Sequence, residues 1–138
     1  MAAFNKFNSF VEDIAEKVHN LGADDIKVYL TNTLPTAANT VYNVPADLAA
    51  GGGYPAGGNS CTITSSIQTS GTYKLILVDS VFTATTGFGP FQYAVLYNNT
   101  AVSKQLIGWY NYGSAVTLAA LETFTVDFDG VNGVITIV

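Results

Sequence analysis

An alternating run of large apolar side chains constrains the fold of this chain more than any other feature. It lies in the segment 87–113, where every second position of one stretch is apolar: Phe91, Tyr93, Val95 and Tyr97. Alternate side chains of a β-strand point to opposite faces of a sheet, so the pattern predicts a strand with these four on one face. Gly89-Pro90 is predicted to begin that strand, because proline fits the first residue of a strand but not the interior of a ladder. A turn at 98–103 and a returning strand at 106–110 complete the hairpin.

Further short strands are predicted along the chain by alternation and by β-branched content. The predicted segments are 25–32, 60–68, 73–83, 116–118, 122–128 and 134–138. Within 122–128 we expect three side chains to face inward: Phe124, Val126 and Phe128. Turns rich in Gly, Asn and Ser separate the segments, as in antiparallel folds with short connections. The sequence therefore predicts one mainly β domain over residues 1–138, an antiparallel β-sandwich that is jelly-roll-like and occupies residues 25–138.

One amphipathic α-helix is predicted at residues 6–22, after an N-terminal arm at residues 1–5. Apolar side chains recur there at helical spacing and form one stripe: Phe7, Phe10, Val11, Ile14, Val18 and Leu21. Ser9 and Glu12 have the spacing of a capping box, with nearby asparagines as alternative caps. Gly22 is placed to end the helix in a left-handed conformation. We expect the stripe to cover the sheet core, with docking on a partner as the alternative.

A long connection at residues 34–58 follows the first predicted strand of the sandwich. It contains most of the prolines and the glycine-rich run 51–58. The run is not a phosphate-binding loop, because it lacks the Gly-x-Gly-x-x-Gly spacing and a following Lys-Ser/Thr, and because Pro55 interrupts it. We interpret it as a flexible excursion over the surface, and loops of this length are rarely without a function.

Charge is scarce in this sequence and unevenly distributed. Charged residues make up 11% of the chain, against about 25% in ordinary soluble domains, and the segments 48–73, 80–103 and 105–121 contain none. Such a surface suits packing in a lattice, because few charges need desolvation there. A net charge of −5 without any Arg argues against nucleic-acid binding. No apolar stretch has the length of a membrane span and no signal-peptide pattern is present, so we expect synthesis in a cytoplasm and no membrane partner.

The potentially reactive side chains do not combine into a recognisable catalytic or metal site. Asp127 and Asp129 lie two residues apart, but the ligand spacing of a calcium loop is absent, so a hairpin turn is the better interpretation. His19 is the only histidine and lies off the apolar stripe, so we expect it to be solvated. Cys61 is the only cysteine and is predicted to be a small core residue. We predict no enzyme activity, no cofactor and no metal.

The aromatic side chains are the best candidates for binding. Tyrosine is favoured where one end of the ring is buried against a partner and the other stays hydrated. A sugar-binding platform would use similar residues, and the sequence does not separate these two uses. We predict partner contacts at seven aromatic residues: Phe4, Phe7, Tyr29, Tyr42, Tyr54, Tyr110 and Tyr112.

Several short motifs extend over nearly the whole chain. They are Phe7-x-x-Phe10-Val11-Glu12, the run from Lys27 to Pro35, Ala49-Ala50-Gly51-x-Gly53-Tyr54, Gly89-Pro90-Phe91-x-Tyr93, Leu96-Tyr97-Asn98 and the run from Leu106 to Gly113. Together they resemble small virion structural proteins of tailed bacteriophages. The motifs are structural rather than catalytic, so the resemblance indicates a lineage more than a task.

The resemblance implies a function in the virion. Together with the small size and neutral surface, it leads us to expect a capsid decoration, or cement, protein. Such a protein binds the lattice of the major capsid protein on the capsid surface and stabilises the DNA-filled head. By analogy with such proteins we expect a homotrimer at the threefold axes of the shell. The alternative is a tail or fibre component, including a glycan-binding module.

Overall fold

Antiparallel sheets are the main regular structure of this protein, and one short helix lies near the N-terminus, which confirms the predicted fold class. The structure, a computed structural model, describes residues 2–138. Its elements are β1 (Phe4–Lys6), α1 (Ser9–Ala15), β2 (Ile26–Thr31), β3 (Asn59–Ser60), β4 (Ile63–Thr69), β5 (Thr72–Leu77), β6 (Ser80–Thr83), β7 (Gly87–Asn98), β8 (Leu106–Ala119), β9 (Thr123–Val126) and β10 (Ile135–Ile137). A single 3₁₀ turn also lies at Val44–Ala46. No helix among the described residues has the length and hydropathy needed to cross a membrane.

The strands form one large sheet and two small ones. The large sheet has the order β1-β8-β7-β2-β3, and the small sheets have the orders β10-β5-β4 and β6-β9. One continuous core joins them, since it contains Leu30 and Leu96 from the large sheet, Leu75 from β5 and Phe82 from β6. The inner face of the large sheet therefore packs on both small sheets, as in a sandwich.

Strand β7 is buried on both of its faces, which corrects the prediction that its large side chains share one face. Phe91 lies in the main core, whereas Val95 and Tyr97 belong to a second cluster. The ladder between β7 and β8 shifts register between Phe91 and Tyr93, and this irregularity breaks the simple alternation. Pro90 is also inside the strand rather than at its start. The ladder is irregular between Phe88 and Phe91, which is where a strand tolerates proline.

The helix is much shorter than the predicted segment 6–22. It ends at Ala15 because Lys17 adopts a positive φ of 68°. The amide of Val18 then bonds to the carbonyl of Asp13 at 2.8 Å, and the amide of Lys17 to that of Ile14 at 3.4 Å, which is a Schellman motif. No side chain caps the N-terminus, so the predicted capping box is also absent.

Other boundaries differ from the prediction for similar local reasons. The arm is not free, because residues 4–6 form β1 and pair with β8. The predicted strand 73–83 is two strands in different sheets, β5 and β6, and the predicted strand 116–118 is the end of the long β8. In 122–128, Val126 and Phe128 are buried as predicted, while Phe124 is only half-buried.

Candidate functional site

The outer face of the large sheet carries an aromatic cluster covered by the long connection. Its buried members are Phe7, Tyr29, Val95, Tyr97 and Leu106, and Tyr42 and Trp109 pack against them. Tyr42 comes from the connection and stacks on Tyr97 with ring centroids 4.6 Å apart. It meets Tyr29 edge to face at 5.1 Å. This burial holds the connection against the sheet.

A single carboxylate fixes the connection in place. Asp47 accepts hydrogen bonds from the hydroxyl of Tyr42 at 2.7 Å, the hydroxyl of Tyr54 at 2.6 Å and the amide of Gly57 at 2.8 Å. Hydrogen bonds to a charged acceptor are stronger than neutral ones. We call these four residues the Asp47 clasp. Its carboxylate is engaged by donors that precede and follow it along the connection, so the clasp is a structural device.

Two further hydrogen bonds tie the Asp47 clasp to the sheet. The hydroxyl of Tyr54 accepts from the amide of Leu30 in β2 at 2.9 Å. The hydroxyl of Tyr97 in β7 donates to the carbonyl of Gly57 at 2.8 Å. Each phenol therefore has a defined partner in its buried setting.

Burial and the nearby carboxylate keep the phenols of this region neutral. Burial, and then the charge of Asp47, raises the pKa of Tyr97 to about 12. Burial is also the main cause that raises the pKa values of Tyr29, Tyr42 and Tyr54, and Asp47 adds to it in each case. A neutral phenol can donate to a carboxylate, so the hydrogen bonds of the Asp47 clasp persist over the ordinary pH range.

The glycine-rich run is packed against strands, and the prediction of a flexible excursion is wrong. Gly58 has φ +76° and is buried, and a Cβ at this position would overlap the carbonyl of Val28 in β2. Gly52 has φ +64°, and a Cβ there would overlap the carbonyl of Gly87. Glycine is required at both positions, for its conformation and for the close approach of two backbones.

The outer part of the connection presents an uncharged apolar surface. Leu34, Val41 and Val44 are 63%, 42% and 70% exposed. We call these three residues the apolar ledge. Beside the ledge lies an open cleft of about 430 Å³, lined by Tyr42 and by hydroxyl and amide side chains that include Thr36, Asn39 and Asn43. Asp47 is the only charged residue between Lys27 and Lys74, and its carboxylate is engaged in the clasp.

The structure separates the seven predicted contact residues into two groups. Phe7, Tyr29, Tyr54 and Tyr110 are 0–4% exposed, so they pack inside the chain and cannot contact a partner. For these four the prediction is wrong, because Phe7 and Tyr29 belong to the aromatic cluster and Tyr54 and Tyr110 belong to the main core. Partner contact remains a prediction for the three half-buried residues: Phe4, Tyr42 and Tyr112.

The other candidates have structural surroundings. Asp129 closes a turn by accepting from the amides of Val131 and Asn132, at 2.9 and 2.7 Å, and these bonds, chiefly those from Asn132, lower the pKa of its carboxyl. Cys61 is half-buried against the main core, and burial raises the pKa of its thiol to about 12. Residues 2–138 contain no group of three or more His, Cys, Asp or Glu placed to hold a metal ion.

His19 is buried, which corrects the prediction that it is solvated. The reversal at Lys17 turns the following segment inward, and the His19 ring is 7% exposed. Its Nδ1 lies 3.0 Å from the Nδ2 of Asn98, the last residue of β7. Helical periodicity could not locate this residue, because the chain is no longer helical at that position.

Sequence reasoning missed Asp47 as the organising residue of the site. The available signal was its isolation as the only charge in a long neutral segment that also contains Tyr42 and Tyr54. A comparison with protein families, with curated proteins and with solved structures finds no match to this chain.

Proposed function

We propose that this chain is a non-enzymatic structural protein of a bacteriophage virion, a capsid decoration protein that binds the major capsid protein lattice and stabilises the DNA-filled head. The lineage rests on the resemblance of its motifs. The observation that carries the task is the apolar ledge, an exposed and uncharged surface that the Asp47 clasp holds against a rigid sheet. A pre-ordered surface loses little conformational entropy on binding.

The chemistry of the ledge fits a protein partner. Leu34, Val41 and Val44 carry no charge that burial would desolvate. The ammonium of Lys104 lies 5.6 Å from the centroid of the Tyr42 ring, so it must stay hydrated at the rim of the contact. A specific contact buries roughly 800 Å² on each partner, so the half-buried ring of Tyr42 beside the ledge would be included. A homotrimer on the threefold axes of the shell would engage several capsid subunits at once, and this multivalency favours the shell over free subunits.

The test is co-sedimentation of the purified protein with undecorated shells of the phage that encodes it. The protein should sediment with shells and bind free capsid subunits more weakly. A double variant, Leu34→Lys with Val44→Lys, should lose shell binding, because two charges would then be desolvated. Val131→Lys is the matched control, since Val131 is 78% exposed on the Asp129 turn and should bind normally. Failure of the wild-type protein to sediment with shells would refute the proposal.

A second candidate function is a tail or fibre component that binds glycans. The observation that favours it is the cleft of about 430 Å³ beside Tyr42, with Asn39 and Asn43 in its lining. Pockets of this size, with an aromatic wall and a few polar groups, are suited to small polar ligands. A glycan array separates the candidates: binding abolished by Asn43→Ala supports the tail function, and an empty array with positive shell binding supports the capsid function.

A further inference from the structure

Strand β4 is an edge strand without the usual protection against pairing. Six strands lie at the edge of a sheet: β1, β3, β4, β6, β9 and β10. Strand β4 is the longest of them, at seven residues. Its sequence Ile-Thr-Ser-Ser-Ile-Gln-Thr contains no charge and no proline, and its only register shift lies at its start, between Ile63 and Ser65. Natural proteins protect exposed edges with charges, proline, bulges or short length. From Ser65 to Thr69, β4 has none of these.

The free backbone groups of β4 can be identified from the hairpin that it forms with β5. Thr69 pairs with Thr72 across a two-residue turn, in which Ser70 and Gly71 have φ values of 51° and 83°. Such a turn is closed by a hydrogen-bonded pair, and bonded and non-bonded pairs then alternate along the ladder. The backbone groups of Ser66 and Gln68 therefore point away from β5. Within residues 2–138, the segment 65–69 makes backbone hydrogen bonds only with β5.

We propose that β4 pairs antiparallel with β4 of a second copy of this chain, about a twofold axis at Ile67. In this register Ser66 of one copy lies opposite Gln68 of the other, so all outward backbone groups of both residues find partners. Directly opposed residues lie on the same face of the sheet, and this register keeps the inner and outer faces of the two copies aligned. The β10-β5-β4 sheets of the two copies then join into one continuous sheet of six strands.

The side chains on the outer face favour a second copy as the partner. Ile67 is 62% exposed, and at the axis it meets Ile67 of the other copy as a non-hydrogen-bonded pair, in which side chains approach most closely. The one charged residue of β4 and β5 is Lys74 on β5, opposite Ile67. The two copies of Lys74 would lie three strand spacings apart, about 14 Å, which exceeds the screening length of about 8 Å at physiological salt. No like charges oppose each other across the axis.

This contact is independent of the proposed function and of the threefold association that the resemblance implies. The β4 contact alone gives a dimer, and combined with a threefold contact whose axis meets the twofold axis at a right angle it gives a hexamer. If the natural partner of β4 were a strand of a different protein, the purified chain would not form the twofold contact. The oligomeric state of the purified chain therefore decides between a second copy and a different protein as the partner.

The test is sedimentation velocity of the full chain up to on the order of 100 μM, where weak specific contacts are populated. Wild-type protein should form dimers or hexamers. Ile67→Lys places two charges at the axis and should give monomers or trimers, with an unchanged circular dichroism spectrum as the folding control. Val102→Lys, at a fully exposed turn position, should leave the association intact.

A cross-linking experiment tests the register itself. Cα atoms of a non-hydrogen-bonded pair lie about 4.5 Å apart, which is within disulfide range. Ile67→Cys should therefore form disulfide-linked dimers under mild oxidation, and Val102→Cys should not. The native Cys61 interferes little, because burial raises its thiol pKa to about 12. A wild-type protein that is monomeric or trimeric, an association unaffected by Ile67→Lys, or equal cross-linking of the two cysteine variants would overturn the proposal.

Discussion

Protonation of His19 should destabilise the fold, because Asn98 can only donate a hydrogen bond to the His19 ring and cannot accept one from it. The Oδ1 of Asn98 accepts from the amides of Thr100 and Ala101, at 3.0 and 3.1 Å, which fixes the orientation of the side chain. Its Nδ2 therefore faces Nδ1 of His19 at 3.0 Å and Oδ2 of Asp24 at 2.6 Å. Nδ1 must accept a hydrogen bond, so the neutral ring carries its proton on Nε2. Protonating Nδ1 would place two donors against each other in a buried site.

The pKa of His19 is lowered from 6.5 mainly by burial, which outweighs the opposing effects of Asp13 and Asp24. The unfolded chain therefore binds a proton at a higher pH than the folded chain. The stability that the neutral His19 ring contributes is fully present above about pH 6.5. It is lost as the pH drops below that value towards the folded-state pKa. The loss is about 1.36 kcal/mol for each pH unit between 6.5 and the folded-state pKa. We therefore expect the free energy of unfolding to fall by at most about 2 kcal/mol down to pH 5.

The assay combines chemical denaturation between pH 7.5 and pH 5 with proton NMR of the imidazole. His19 is the only histidine, so its resonances need no assignment. The control is His19→Asn, whose amide oxygen can replace Nδ1 as the acceptor and which should show no stability change in this pH range. A His19 that titrates at or above its ordinary pKa, or a variant with the same pH dependence as the wild type, would refute the reasoning.

Three further changes test the core, the Asp47 clasp and the close contact between the backbones at Gly58 and Val28. Phe82→Ala should cost about 3–5 kcal/mol in chemical denaturation because Phe82 is 2% exposed; Phe124→Ala should cost less because it is half-buried, and equal losses would contradict this placement. Asp47→Ala should lower stability by on the order of 3 kcal/mol, since several donors lose a charged acceptor, and should expose residues 34–58 to limited proteolysis; unchanged resistance would show that the clasp is dispensable. Gly58→Ala should prevent folding or shift the melting temperature by many degrees, whereas Gly130→Ala, which meets no atom within 4 Å, should be neutral.

The fold class was predictable because short-range alternation and turn chemistry agree over most of the chain. The turn at Ser70-Gly71 illustrates this, since both residues adopt the positive φ values that such a turn requires. The faces of β7 were not predictable. The register shift between Phe91 and Tyr93 comes from extra residues on the partner strand β8, between Asn111 and Val116, and alternation within one strand carries no information about register. The helix end was missed because Lys17, rather than a glycine, adopts the left-handed conformation.

The site was only partly predictable, because its central interactions are long-range. The surplus of tyrosine indicated a specialised surface, but composition does not show which rings are covered. Tyr54 is buried because its hydroxyl reaches both Asp47 and the amide of Leu30 in β2. This contact exists only after the connection has folded back over the sheet. Residue spacing could identify Asp47 as isolated, but it could not identify its donors.

The proposed function implies that a phage encodes this chain, and its most direct test is imaging of that phage's virions at a resolution that fits the sandwich into density. The account predicts density on the outside of the head at the threefold positions, with the apolar ledge of Leu34, Val41 and Val44 facing the shell. Density for this chain on the tail, or intact virions that lack it, would contradict the assignment as a capsid decoration protein.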